Sequence, residues 1–365
     1  MRPRPQDDRA PGRSTAAGRA RAGERRAVVV ACAADARYAL PLAVTLRSAA
    51  DNLAPERRLE AYVVADGIGD ESRRRVERSL AGGGEVHWVE PPAATFPGLP
   101  LWGRMPATTY NKLFVDRFLP AGLDRVIWLD CDLVVLGDLS RLHDLAFDDR
   151  HALAARDPFV WSLSSRFGVA GHADLGLRGE APYFNAGVMV IDVARWRRDD
   201  VAGAALAYLE RFGERVFFHD QEALNAVLAG KWGDLDERWN WSVSLDRLSP
   251  GAGRGPAAGA RGPGSDPWIL HFSGTLKPWA YRSRSVHHSI YYRHLDRTAW
   301  AGWRPRRTWG GRALEWYESS SLRRAVHPLE RRWLQLISRV TRRRSRAAER
   351  AAGLRRARTP GTPVG

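Results

Sequence analysis

From Ala27 onward the chain alternates between apolar runs and amphipathic stretches. The β-branched run Val28-Val29-Val30 predicts a buried strand, and the stretch around Leu40, Val44 and Leu46-Arg47-Ser48 predicts the helix that follows it. The unit then repeats: Ala61-Tyr62-Val63-Val64 ends at Asp66-Gly67, and Glu71 to Leu80 reads as a charged, exposed helix. Further strands are expected at Val86 to Val89, Arg125 to Leu129, Leu153 to Ala155 and Gly187 to Ile191, with a helix at Tyr110 to Phe118. Strands and helices alternating at this spacing give an α/β fold class, with a mostly parallel central sheet covered on both faces. In such sheets ligands sit beyond the carboxyl ends of the strands. Asp35, Asp66, Asp130, Asp132 and Asp157 all follow strand runs, and each also has the plainer reading of a turn or helix cap.

Outside this pattern lie three segments of different character. Met1 to Arg26 is polar, rich in Arg, Gly and Pro, and without periodic apolar positions, so residues 1–26 read as a disordered basic arm. Ser249 to Pro267 is packed with Gly, Pro and Ala and reads as a flexible insertion in a single domain spanning 27–282. Residues 283–365 read as a basic tail, in which Leu322, Val326, Leu329, Trp333, Leu336 and Val340 recur three or four apart between arginines, the pattern of an amphipathic helix near 322–340.

Charge and cysteine usage narrow the function classes. The formal net charge of +16 would suit nucleic acid, but much of it sits in the two ends rather than interleaved with aromatics across a sheet, so no nucleic-acid partner is expected. For the tail the alternatives are peripheral attachment to the anionic inner face of the cell membrane, or a solvated helix or basic end. Cys32 and Cys131 are the only cysteines, which argues against a disulfide framework and for a reducing compartment. With no apolar run of about 18 residues and no apolar segment behind the basic start, neither a membrane span nor a signal peptide is expected, and the placement is cytoplasmic.

The sharpest chemistry follows Val126-Ile127-Trp128-Leu129, where a buried strand delivers Asp130 and Asp132 one residue apart. In extended backbone the two would face opposite ways, so a common ion requires a turn there. Asp234-Leu235-Asp236 repeats the spacing without a long apolar run, and spacing alone does not separate the pairs. A second candidate is Ile269-Leu270-His271-Phe272-Ser273-Gly274-Thr275-Leu276-Lys277-Pro278-Trp279: a short strand ending in His271, a glycine that lets backbone approach a ligand, and a lysine that offers phosphate a point charge. One imidazole with two carboxylates suits Mn²⁺.

Taken in order, Ala33-Ala34-Asp35 with Tyr38, the Asp-x-Asp segment, Tyr183 to Asp192 with Trp196, Asp220 to Asn225, and His271 to Trp279 resemble the family 8 retaining glycosyltransferases. That group includes bacterial lipopolysaccharide galactosyltransferases and glycogenin. The resemblance implies a GT-A fold, a nucleotide-binding αβα sandwich, with Asp35 and Tyr38 near the base. It also implies Asp130, Asp132 and His271 on Mn²⁺, with Mg²⁺ as the substitute, and Gly274 and Lys277 on the diphosphate. Asp157, Asn185, Asp220 and Gln221 would line the transferred sugar. Lys112 stands where the family usually has a donor-binding Arg, so it is expected to contact the donor, keeping charge but losing the bidentate fork. Glu222 replaces a frequent Asp, and Arg37 a frequent Asn. A neutral amide is a poor nucleophile, so same-face attack with Gln221 positioning the sugar is favoured, and Asp220 or Glu222 is the runner-up nucleophile. The donor would be UDP-glucose or UDP-galactose, and the acceptor a hydroxyl of a glycan, lipid-linked or cell-envelope molecule. The competing readings are an inactive GT-A scaffold, a self-glycosylating enzyme and, last, a nucleic-acid-binding protein. Oligomeric state is left open.

Overall fold

Alternation along the first strand divides the molecule into layers. Strand β1 (Arg26–Asp35) sends Val28, Val30, Cys32 and Ala34 into one apolar cluster and Val29 and Ala31 into another, on opposite faces of a sheet. The computed structural model describes residues 25–91, 107–244, 266–274, 277–283 and 285–319. Most of the 1–26 arm, most of the 249–267 insertion and the helix expected near 322–340 lie outside them.

Helix α1 (Ala39–Asp51) follows β1, β2 (Arg57–Asp66) pairs with it in parallel, and α2 (Asp70–Leu80) leads to β3 (Gly84–Val89), parallel to β2. On the other side of β1 lie β4 (Arg125–Leu129), β7 (Phe184–Asp192), β6 (Ala152–Arg156) and β8 (Trp232–Asp234), giving the order β3-β2-β1-β4-β7-β6-β8. β7 alone runs against its neighbours, antiparallel to both β4 and β6, so the expected mostly parallel sheet is present with one reversed strand. A three-stranded sheet, β5-β10-β9, is built from β5 (Leu133–Val135), β9 (Trp241–Ser242) and β10 (Ile269–His271).

Between β3 and β4 the structure departs from the helix expected at Tyr110 to Phe118. Ala107–Phe114 winds as a 3₁₀ helix, and only Val115–Phe118 (α3) is α-helical. Thr108, Tyr110, Asn111, Lys112, Leu113 and Phe114 are all buried, so no solvent face defines a 3.6-residue stripe. Tighter winding eclipses residues three apart and aligns Thr109 with Lys112. The remaining helices are α4 (Ser140–His143), α5 (Val193–Arg198), α6 (Val201–Phe212), α7 (His219–Val227), α8 (Val286–Leu295) and α9 (Trp309–Ser319).

A second departure concerns the tail, whose start at 283 falls inside the folded body. Tyr291, Leu295 and Trp300 belong to the same buried cluster as α1 and β1, and Arg75 of α2 donates to the Ala299 carbonyl at 2.8 Å. The aromatic spacing of Tyr291, Tyr292 and Trp300 carries no helical stripe strong enough to separate this segment from the basic residues after it.

Candidate active site

The passage from the large sheet to the small one shapes the site. β4 ends at Leu129 and β5 starts at Leu133, so Asp130, Cys131 and Asp132 form the turn between sheets, the geometry that allows both carboxylates to face one point. β10 pairs antiparallel with β5, His271 opposite Leu133, and the Phe272 amide donates to the Asp132 carbonyl at 2.9 Å. A strand about 140 residues downstream is thereby delivered beside the aspartates.

Ligand atoms of Asp130, Asp132 and His271 all lie within 4.8 Å of one another. His271 Nε2 is 3.3 Å from Asp132 Oδ1, and its Nδ1 is 2.8 Å from Asn240 Oδ1. Lys277 donates to Asp132 Oδ2 and to the Phe272 carbonyl, the latter at 2.7 Å. Burial alone would raise the Asp132 carboxyl, but the Lys277 ammonium and His271 outweigh it and hold the group well below the usual carboxylate range. Two hard oxygen donors and one borderline nitrogen, partly open to solvent at Asp130, fit a divalent cation such as Mn²⁺. The backbone is cut to the same shape: a Cβ on Gly187 would sit 2.4 Å from His271 Cε1, so glycine is what lets the ring lie against β7.

Lys112 lies on the inner side. Its buried ammonium is 3.0 Å from Asp220 Oδ2 and 3.2 Å from Asp130 Oδ1, and Thr109 Oγ1 donates to Asp220 Oδ1 at 2.6 Å. Burial pulls the lysine down, but the two carboxylates more than offset this and its pKa is raised, so it stays charged. Asp220 lies in the first turn of α7, next to His219, which holds φ 44°, a left-handed conformation uncommon outside glycine.

A third group of side chains forms a hydrogen-bonded set beside the ion corner. Asp157 Oδ2 accepts from Asn185 Nδ2 at 2.9 Å and from Gln221 Nε2 at 3.1 Å, while Gln221 Oε1 accepts from the Ala186 amide at 3.1 Å. A cleft of about 390 Å³, lined by Asp157, Asn240, Trp241, Ser242 and the Arg156–Asp234 ion pair among others, opens beside them.

Residues 29–283 match the model of glycosyl transferase family 8. The chain belongs to glycosyl transferase family 8. Among curated relatives it is 28% identical over 280 residues to General stress protein A of Bacillus subtilis, covering 74% of this chain and 94% of that one. It is 24% identical over 232 residues to the lipopolysaccharide 1,3-galactosyltransferase of Salmonella typhimurium, covering 62% of this chain but 65% of that enzyme. A crystal structure of the galactosyltransferase LgtC in complex with donor and acceptor sugar analogs superposes with a TM-score of 0.63 at 24% identity, over 74% of this chain and 96% of that one. That likeness carries the fold, the GT-A arrangement expected from the motifs, and the family membership carries the glycosyltransferase class.

Within this family 8 chain, the structure brings most of the singled-out residues together. Asp130, Asp132, His271, Lys277, Lys112 and Asp220 form one charged cluster, and Asp157, Asn185 and Gln221 the adjoining polar one. Tyr38 packs edge-on to Trp279 with ring centroids 5.6 Å apart; burial, then Asp132, pushes its phenol up. Gly274 turns the chain after β10 at φ 88°. Asp35 takes the cap reading at one oxygen: Oδ1 accepts from the Arg37 and Tyr38 amides, and Oδ2 carries the Arg37 guanidinium. Glu222 stands apart. Buried on α7, it accepts from the Ala170, Phe217 and Phe218 amides and from Tyr208, so its oxygens are fully engaged away from the cluster. Asp234 and Asp236 also lie outside the ion corner, pairing with Arg156 and Arg238. Thr109 and Asn240 join the site without having been singled out; both lie in segments with no periodicity or motif of their own.

Proposed function

We propose that this family 8 enzyme moves a hexose, glucose or galactose, from a UDP-sugar to a hydroxyl of a glycan, lipid-linked or cell-envelope acceptor, with retention of configuration and with Mn²⁺ as cofactor. The observation that carries the reading is the meeting of Asp130, Asp132 and His271 in one corner with Lys277 beside them. As the glycosidic bond breaks, negative charge gathers on the departing diphosphate. A divalent ion held by Asp130, Asp132 and His271 would supply Lewis-acid neutralisation of that charge. Lys277 adds a fixed positive charge from the segment after β10, and Gly274 brings backbone close to the phosphates. Asp35 and Tyr38 are assigned to the nucleotide end.

On the sugar side, Asp157, Asn185, Asp220 and Gln221 offer carboxylate and amide groups to hydroxyls and to a cationic anomeric centre. Gln221 is tied at both ends of its amide, to Asp157 and to the Ala186 backbone, which suits positioning rather than bond-making. That favours same-face attack over a covalent glycosyl-enzyme, with the leaving phosphate accepting the acceptor's proton.

A screen of nucleotide sugars, scored by Mn²⁺-dependent UDP release, tests the whole reading. The expected result is turnover of UDP-glucose or UDP-galactose that falls at least about 100-fold in Asp132→Ala, the scale of losing one electrostatic stabiliser. Equal turnover in that variant would remove the metal assignment, and no turnover of any nucleotide sugar would leave a non-catalytic GT-A scaffold.

A further inference from the structure

We propose that Asn240 is a positioning residue that fixes the ring of His271, holding Nδ1 as the protonated nitrogen and leaving the Nε2 lone pair aimed at the Asp132 corner. The direction of each hydrogen bond is fixed in turn from groups that have no choice. The Asp157 carboxylate only accepts, so Asn185 must present Nδ2 to it, at 2.9 Å. The backbone amide of Gly187 only donates, and it meets Asn185 Oδ1 at 3.0 Å, in agreement with that orientation. Asn185 Oδ1 also faces Asn240 at 2.9 Å, so Asn240 must bring Nδ2 there, leaving its Oδ1 toward His271. That oxygen can only accept, so His271 Nδ1, 2.8 Å from it, must carry the N–H.

In the neutral ring Nε2 is then bare, and it lies 3.3 Å from Asp132 Oδ1, one acceptor against another. A cation shared between them relieves that opposition, which is why the inference deepens, and in this part rests on, the metal reading. The carboxylate that holds the sugar-side residues thus also sets, through two amides, which nitrogen the ion side presents. Nearly all metal-binding histidines have such a partner on the other nitrogen, and losing it weakens metal affinity about 10–100-fold.

Two measurements test this in the full chain. Histidine labelled with ¹⁵N, recorded without metal at a pH above the imidazole range and assigned with His271→Gln, reports the tautomer directly. The wild-type chain is expected to show Nδ1–H with unprotonated Nε2; an Nε2–H tautomer overturns the proposal without reference to any metal. Mn²⁺ affinity, followed by the EPR signal of the free ion, is expected to fall about 10–100-fold in Asn240→Leu, which offers His271 no acceptor. Asn240→Asp keeps an acceptor toward the ring while losing the donor to Asn185, and is expected to retain the tautomer and most of the affinity. Equal binding by Asn240→Leu and wild type overturns the proposal, as does Asn240→Asp binding as weakly as Asn240→Leu. Absence of any Mn²⁺ binding sensitive to Asp132→Ala would instead count against the metal reading, with the tautomer still deciding the role of Asn240.

Discussion

Single atoms decide much of this site. Gly187 shows it: the hydrogen in place of a methyl is what admits the His271 ring, and a Cβ there would also lie 3.0 Å from Asn185 Oδ1. In Gly187→Ala a Cβ 2.4 Å from His271 Cε1 forces the ring to shift, while the surrounding strand keeps its pairing. Catalytic geometry tolerates little displacement, so kcat is expected to fall about 100-fold with a small change in unfolding midpoint. Steady-state kinetics beside urea denaturation separates the two, and unchanged kcat would show that the ring's seat against β7 does not matter. Glu222 makes the opposite case. Its oxygens satisfy three backbone amides and the Tyr208 hydroxyl. Glu222→Ala leaves those buried donors unpaired, and the expected loss of stability is about 3–5 kcal/mol. A folded, equally stable but inactive Glu222→Ala would restore Glu222 to the chemistry.

At the scale of elements, what the sequence makes legible and what it hides follow from range. Apolar runs set β1, β2, β4, β6 and β7 because a buried strand needs no partner to be recognised, and Asp130 and Asp132 were visible as polar residues ending such a run. Reversal of β7 was not visible, since an apolar run reads the same in either direction. Of the small sheet, β10 was legible as the short strand ending in His271, but β9 was hidden: its two residues are too few to show alternation, yet its pairing with β10, Ser242 beside His271, brings Asn240 to the imidazole. The 3₁₀ segment was hidden because six of its residues, Thr108 and Tyr110 to Phe114, are buried and leave no amphipathic stripe. Its function is to align Thr109 and Lys112 on Asp220, and Lys112 also serves Asp130. Lys112→Met keeps the stem's packing and removes the ammonium, leaving two carboxylates facing each other across a buried gap. The expected cost is about 3 kcal/mol of unfolding free energy, measured by denaturant titration. Lys112→Arg is expected to recover most of it, and a Met variant as stable as wild type would show that the triad carries no stability.

For the whole molecule, the question is where the folded unit ends. The family match stops at residue 283, and the basic composition beyond it reads as a tail. The packing argues otherwise. Tyr291 and Leu295 are fully buried and Trp300 nearly so, all against α1 and the first face of the sheet. The segment is also bolted down by polar contacts: the Ala299 amide donates to Ser79 Oγ at 2.9 Å, Arg75 lies 4.3 Å over the Trp300 ring, and Arg297 pairs with Asp51 at 2.9 Å. Each buried side chain of this size contributes about 1.5–3 kcal/mol, so the three together amount to about 5–9 kcal/mol. A domain's entire stability is about 5–15 kcal/mol. A chain ending at Arg282 is therefore expected to be unfolded or aggregated at ordinary temperature, whereas one ending at Ser319 should unfold cooperatively at the wild-type urea midpoint. The two chains share the ion corner and the sugar-side residues, so UDP release by the longer and not by the shorter would trace the loss to the missing core. Should the shorter chain match the longer in midpoint and turnover, α8 would be a decoration on the fold rather than part of it.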